Sequence, residues 1–173
     1  MASAARACVR ASSRTVILEN AVNRVVGDPG SAMDVPEGFA PLFRTSPVLD
    51  LIGPIYYRGN GKDLVLGLRI ERKHCNARGT VHGGILAALA DVALGYTMAF
   101  SSDPPIGLVT ANLSLDFAGT AASGAWLETT VEIQKQGSRL AFANCYIAAS
   151  GERIVRASAV FLVSGTIDVK GES

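Results

Sequence analysis

Hydrophobic and polar positions alternate without a break from Val109 to Phe117: Val, Ala, Leu, Leu and Phe fall on odd numbers, Thr, Asn, Ser and Asp on even ones. A period of two marks a strand with one buried face. Residues 127–136 repeat the pattern, with Leu127, Val131 and Ile133 set against Glu128, Thr130, Glu132 and Gln134. Gly137-Ser138 and Ser150-Gly151 then turn the chain into two further apolar stretches, 140–148 and 153–163, which predicts an antiparallel meander. Upstream, strands are expected at 52–58 and 64–70. Gly59-Asn60-Gly61 lies between them as a hairpin turn, because Gly and Asn accept positive φ.

The period changes between these groups. Residues 83–100 read GGILAALADVALGYTMAF, an almost wholly apolar run too long for a strand, and predict a helix. Its length meets the requirement for a membrane span. Asp91 at its middle, its glycines and the strands on either side argue instead for a helix inside a soluble domain, since a charge at bilayer centre costs a few kcal/mol. A helix apolar all round must be enclosed on most sides. The predicted fold is therefore α+β, an antiparallel sheet wrapped around one long central helix. Such a sheet leaves edge strands unpaired, and a second copy of the chain is a common remedy, so a homodimer is expected.

The outer parts of the chain read differently. Residues 1–35 form an N-terminal extension closed by Gly-Asp-Pro-Gly-Ser, a run of turn formers. Residues 36–51 carry prolines among scattered apolar side chains and suggest a short helix at the edge of a 36–163 domain, with 164–173 as a polar tail. The first 18 residues hold three arginines and no acid, the composition of an organellar transit peptide. Met33 would serve equally well as a start for the core, so the expectation is a cytoplasmic protein, with an organelle matrix as the alternative. No apolar secretory segment precedes a cleavage site.

Composition narrows the function classes. A chain of 173 residues, 49% hydrophobic and 18% charged, supports one domain with a substantial core. A net charge of +1 without a Lys/Arg cluster gives no electrostatic case for nucleic acid. Cys8, Cys75 and Cys145 form neither a disulfide framework nor a CxxC pair. With His74 and His82 as the two histidines, no metal site is expected.

Two features carry candidate chemistry. Asp is a poor helix-interior residue and is seldom buried without partners. Apolar neighbours within four residues on both sides of Asp91 should raise its pKa unless donors surround it. It reads either as a functional carboxylate or as a satisfied core or interface group. Gly83 and Gly84 open the same helix, whose first N–H groups have no partners within it. Glycines let a carbonyl approach those amides, and the positive helix end favours an oxyanion. The plainer alternative is a tight turn into the helix.

Geometry then separates the two features. Asp91 lies eight residues past Gly83, about 12 Å along one helix at 1.5 Å per residue. One helix cannot bring both to one carbonyl carbon, so a shared site needs two subunits. Other chemistries fare worse. There is no GxSxG elbow and no GK[ST] after the glycines. A Cys75 nucleophile with adjacent His74 has poor geometry, and His74 reads as a loop residue.

The run Asn76-Ala-Arg-Gly-Thr-Val-His82-Gly83-Gly84, followed by Asp91 on a long apolar helix, resembles the hotdog-fold acyl-CoA thioesterases of the 4-hydroxybenzoyl-CoA thioesterase superfamily, in the PaaI-like branch. The similarity covers about residues 36–163 and includes Lys135-Gln136-Gly137-Ser138-Arg139-Leu140-Ala141-Phe142. The extension lies outside it. The resemblance implies hydrolysis of an acyl- or aryl-CoA thioester with no cofactor, coenzyme A being part of the substrate, in a homodimer and a dimer of dimers.

By the same resemblance the Gly83 amide polarises the thioester carbonyl with help from Asn76, and Asp91 of the other subunit activates water or attacks. Thr110 orients the water. His82 organises the loop or meets the sulfur, Gly84 belongs to the substrate-binding step, and Lys135, Gly137, Ser138 and Arg139 meet the nucleotide end of coenzyme A. Leu86, Ala90 and Tyr96 are candidates for the acyl pocket. A non-catalytic acyl-CoA-binding module is the alternative. A hydratase is disfavoured because no second acid or histidine accompanies Asp91.

Overall fold

The computed structural model describes residues 25–26 and 35–167; the proposed targeting segment lies outside them. In chain order the elements are β1 (Val25–Val26), β2 (Ala40–Pro41), α1 (Pro47–Ile52), β3 (Ile55–Arg58), β4 (Val65–Arg69), α2 (Gly83–Phe100), β5 (Ile106–Phe117), β6 (Thr120–Ala121), β7 (Trp126–Gln136), β8 (Leu140–Ala149) and β9 (Glu152–Thr166). Seven strands form one antiparallel sheet in the order β2-β3-β4-β7-β8-β9-β5. The helix α2 packs across β5, β7, β8 and β9. A two-residue parallel pairing of β1 with β6 ties part of the extension to the domain.

Sheet and helix bury one apolar set against each other. Leu86, Leu89, Leu94 and Met98 of α2 face Leu66, Leu68, Leu127, Ile147 and Phe161 of the strands, all essentially inaccessible. Each fully buried side chain of this size contributes roughly 1.5–3 kcal/mol. This packing identifies α2 as the core helix of the sheet.

Four expectations need correction. Ile52 ends α1 rather than starting a strand; Ser46 caps that helix with Pro47 at its first position, and the strand begins at Ile55. β9 runs on to Thr166 because Gly107 and Ile106 of β5 give it partners beyond residue 163. β7, β8 and β9 form the expected meander, whereas β5 lies beyond β9 and not next to β7, because α2 carries the chain over the sheet to its other edge. The fourth concerns α2 itself: its inner face is sealed, but Ala87, Ala88, Asp91, Val92 and Gly95 are half-buried. One chain covers one face of the helix only.

The two sheet edges differ sharply. β2 is a two-residue strand, whereas β5 has twelve residues, most of them exposed, including Val109 at 56% and Phe117 at 54%. A long edge with apolar side chains is the pairing-competent one.

Candidate active site

The loop into α2 is held by its own polar groups. Asn76 accepts the Arg78 N–H at Oδ1 (2.9 Å) and donates from Nδ2 to Thr80 Oγ1 (3.1 Å), while the Asn76 N–H meets the Thr80 carbonyl at 2.8 Å. The side chain sought as a substrate donor is thus part of the turn, with one further Nδ2 hydrogen to offer. His82 caps α2 in extended backbone (φ −73°, ψ 136°), and its Nδ1 accepts the Gly84 N–H at 2.9 Å. Ile85 and Leu86 both donate to the His82 carbonyl. Among the described residues no acceptor meets the Gly83 N–H, so Gly83 keeps the free helix-end donor and Gly84 does not.

His74 lies beneath this loop. It sits in a short 3-10 turn of the loop between β4 and α2 and is 1% exposed, its ring drawn into the core. Its Nδ1 accepts the Glu71 N–H at 2.9 Å and its carbonyl accepts the His82 N–H at 2.8 Å. Nε2 has no partner among the described residues, and burial lowers the pKa of the ring below its ordinary value. Cys75 is half-buried, and burial pushes its thiol up, away from the thiolate a nucleophile needs.

Asp91 has one of the donors that its position requires. The Thr110 hydroxyl donates to Asp91 Oδ1 at 2.9 Å across from β5 to α2. A bulge after Thr110, where the β5–β9 register slips between Thr110 and Asn112, turns the hydroxyl toward the helix. β5 runs antiparallel to α2, so its far end returns to the start of the helix. A Cβ placed on Gly83 would stand 3.3 Å from the Phe117 ring. One chain thus holds two separate pairs, Asp91 with Thr110 and Gly83 with Phe117.

A cavity of about 370 Å³ opens beside Asp91, lined by Thr110, Gly95, Tyr96, Phe100 and Ile106. Tyr96 was anticipated there. Leu86 and Ala90 were not well placed, since both are sealed in the core on the opposite face of α2. Gly95 and Ile106 were missed, although Gly95 stands one turn past Asp91 on the same face. Arg44 from the lead-in to α1 also borders the cavity.

The turn around Lys135, Gly137, Ser138 and Arg139 is not gathered to either pair. Gln136 ties it to Ser101 and Ser102 at 3.1 and 2.6 Å, just past the C-terminal end of α2. Lys135, Ser138 and Arg139 are exposed, and the Gly137 N–H closes the turn on the Leu140 carbonyl. Among the described residues there is no group of three or more side chains suited to hold a metal.

A profile of the thioesterase superfamily matches residues 78–155. Esterase PA0474 of Pseudomonas aeruginosa, a provisionally named protein, is 56% identical over 131 residues, covering 75% of this chain and 97% of its own. Acyl-coenzyme A thioesterase 13 of Mus musculus is 31% identical over 81 residues, 47% of this chain and 57% of its own. The solved structure of the E. coli PaaI protein from the phenylacetic acid degradation operon superposes with a TM-score of 0.64 at 20% identity, covering 71% of this chain and 88% of that one. That last likeness is one of fold.

Proposed function

The chain belongs to the thioesterase superfamily, as a PaaI-like hotdog thioester hydrolase, and on that premise we propose that it hydrolyses acyl-CoA thioesters at a site shared by two subunits. Asp91 and Thr110 of one chain act with the Gly83 amide of the other. The observation that carries this reading is the distribution of groups within one chain: a carboxylate with a hydroxyl donor in mid-helix, and an unclaimed helix-end N–H about 12 Å away.

The long edge strand β5 offers a way to join the halves. Antiparallel pairing of β5 with its copy about an axis near Leu113 and Ser114 lays Thr110 of one chain toward Phe117 of the other. Asp91 accompanies Thr110 and Gly83 accompanies Phe117. The same pairing covers the open face of α2 and the exposed edge.

In the reaction, Asp91, with Thr110 fixing the carboxylate, either takes a proton from a water whose oxygen attacks the carbonyl carbon, or attacks that carbon itself to give an anhydride that a water then cleaves to free acid and the regenerated carboxylate. The Gly83 N–H receives the developing oxyanion, the carbon–sulfur bond breaks, and the CoA thiolate leaves and is protonated. A thioester lacks amide resonance, so positioning, an oxyanion donor and one carboxylate suffice without metal or redox cofactor. Asn76 and His82 hold the loop that presents Gly83, and Gly84 is committed to the cap. Lys135 and Arg139, as exposed cations, suit the phosphates of coenzyme A.

The test is thiol release from a panel of acyl- and aryl-CoA esters by the wild type and by Asp91→Ala. A positioned base contributes about 10²–10⁴-fold, so kcat should fall by that factor while the folded structure persists. Unchanged turnover in the variant would overturn the mechanism. Wild-type binding without turnover of any thioester would favour an acyl-CoA-binding module.

A further inference from the structure

Two cavities meet at Phe100. The nearer begins at Asp91 and Thr110; the farther, of about 500 Å³, is lined by Phe43, Tyr57, Asn60 and Ser102, and Phe100 borders both. Along α2 the nearer cavity follows Asp91, Gly95, Ala99 and Phe100, positions spaced so that it runs lengthwise on one helix face. Its other wall is β5 read backwards, Thr110 near Asp91 and Ile106 toward Phe100. One end is polar; the other is closed by aromatic and aliphatic side chains.

The lining selects among the parts of an acyl-CoA. Beyond Asp91 and Thr110 the wall is mostly apolar, with Val92, Ala99, Leu108, Phe161 and Ile167, and its polar members are Arg44, Tyr96 and Ser164. A pantetheine arm would find partners at those points alone, and each amide buried unpaired elsewhere costs about 1–3 kcal/mol. An alkyl tail would bury apolar surface at no such cost. The nine steps from Asp91 to Phe100 span about 13.5 Å of helix at 1.5 Å per residue. An extended chain advances about 1.2 Å per bond, so the groove accommodates roughly ten carbons.

Two residues set its dimensions. A Cβ on Gly95 would meet nothing of its own chain within 4 Å, so a side chain there would extend into the groove. The Phe100 ring is braced edge-on by Phe43 at 5.1 Å and by Tyr96 at 6.2 Å. We infer that the groove holds the acyl chain of the substrate, that Gly95 keeps it open, and that Phe100 closes it, making linear medium-chain acyl-CoA the preferred substrate. This rests on the thioesterase reading above and adds to it the identity of the acyl group.

The experiment uses the full chain and linear acyl-CoA esters from two to sixteen carbons, with kcat and KM measured separately. Wild-type kcat/KM is expected to peak at about ten carbons. Gly95→Leu should lower the ratio of decanoyl to acetyl turnover by about tenfold or more, a discrimination within reach of a few methylenes. Gly95→Ala, which favours the helix and carries little folding risk, should lower it a few-fold. Phe100→Ala should move the optimum to longer chains by opening the second cavity.

A length profile unchanged by either Gly95 variant overturns the inference. So does a rise in KM that is equal for every chain length, because it would place the pantetheine arm in the groove. A parallel titration with inert alkyl-CoA thioethers reads the same length preference as binding. If turnover fails altogether, that series still decides the groove, and the two claims fail separately.

Discussion

The loop that leads into α2 and the middle of the same helix meet opposite requirements. In the loop, Asn76 pairs with Thr80 and His82 with Gly84, and the Gly83 N–H at the helix start meets no acceptor among the described residues. In the middle of the helix a carboxylate stands half-buried beside a groove, with Thr110 donating to one oxygen. A donor that must stabilise charge without rearranging gains from a rigid frame. A base that must reach water needs an open side. On the proposed two-subunit reading the difference accounts for a site in two halves, since the carboxylate and the donor stand about 12 Å apart on one helix.

Within the loop, the largest effect is expected from removing its donor without disturbing its frame. Gly83→Pro deletes the N–H at the first helical position, where proline is well tolerated, and His82 already has the extended backbone that a following proline requires. The Phe117 ring, more than half exposed, has room to shift. Loss of one oxyanion donor should lower kcat by about 10²–10³-fold. Mixing this variant with Asp91→Ala breaks the comparison or sharpens it. Heterodimers would carry one site with both lesions and one with neither, so about a quarter of wild-type activity should return in an equal mixture. No recovery, with subunit exchange demonstrated, would place both groups in one subunit.

A smaller effect is expected where the two regions are thought to be joined. Val109→Lys puts a charge on the long exposed edge of β5 next to Thr110, a device that natural edges use against pairing. Sedimentation should show a shift toward monomer, and kcat/KM should fall by about tenfold although Asp91, Thr110 and Gly83 are intact. A variant that stays dimeric and fully active would move the interface away from β5.

Much of this was readable in the chain because local pattern and long-range packing agree. The bounds of α2 coincide with the apolar run, and the strands from 109 onward follow the period of two within a few residues. The helix rise alone separates Gly83 from Asp91 by about 12 Å. What was not readable depends on meetings between distant segments. Nothing local says that β5 skips the meander to reach the far edge. The outer-face cluster of Phe39, Tyr56 and Trp126 joins three segments, and the Trp126 ring lies so close to Gly67 that a Cβ there would overlap it at 2.2 Å. The bulge that aims Thr110 is set by its partner strand β9. Leu86 and Ala90 were misplaced because a helix apolar all round gives no sign of which face is inward.

The smallest effect concerns the support beneath the loop. His74 is buried and neutral, its Nδ1 accepts the Glu71 N–H, and burial lowers its pKa below the unfolded value near 6.5. The folded state therefore disfavours the proton that the unfolded state accepts. The stability associated with the neutral ring is fully present above pH about 6.5 and declines as the pH falls below it, by at most about 1.4 kcal/mol per unit. His74→Asn keeps an acceptor near the Glu71 amide and removes the titration, so its unfolding free energy should fall less between pH 7.5 and 5.5, taken here as about one unit either side of that value. Because the His74 carbonyl receives the His82 N–H, acid loss of thioesterase activity in the wild type should begin in the same window and be shallower in the variant. Parallel pH profiles for the two proteins would detach the loop from His74 and leave the rigidity of the Gly83 donor to Asn76 and His82.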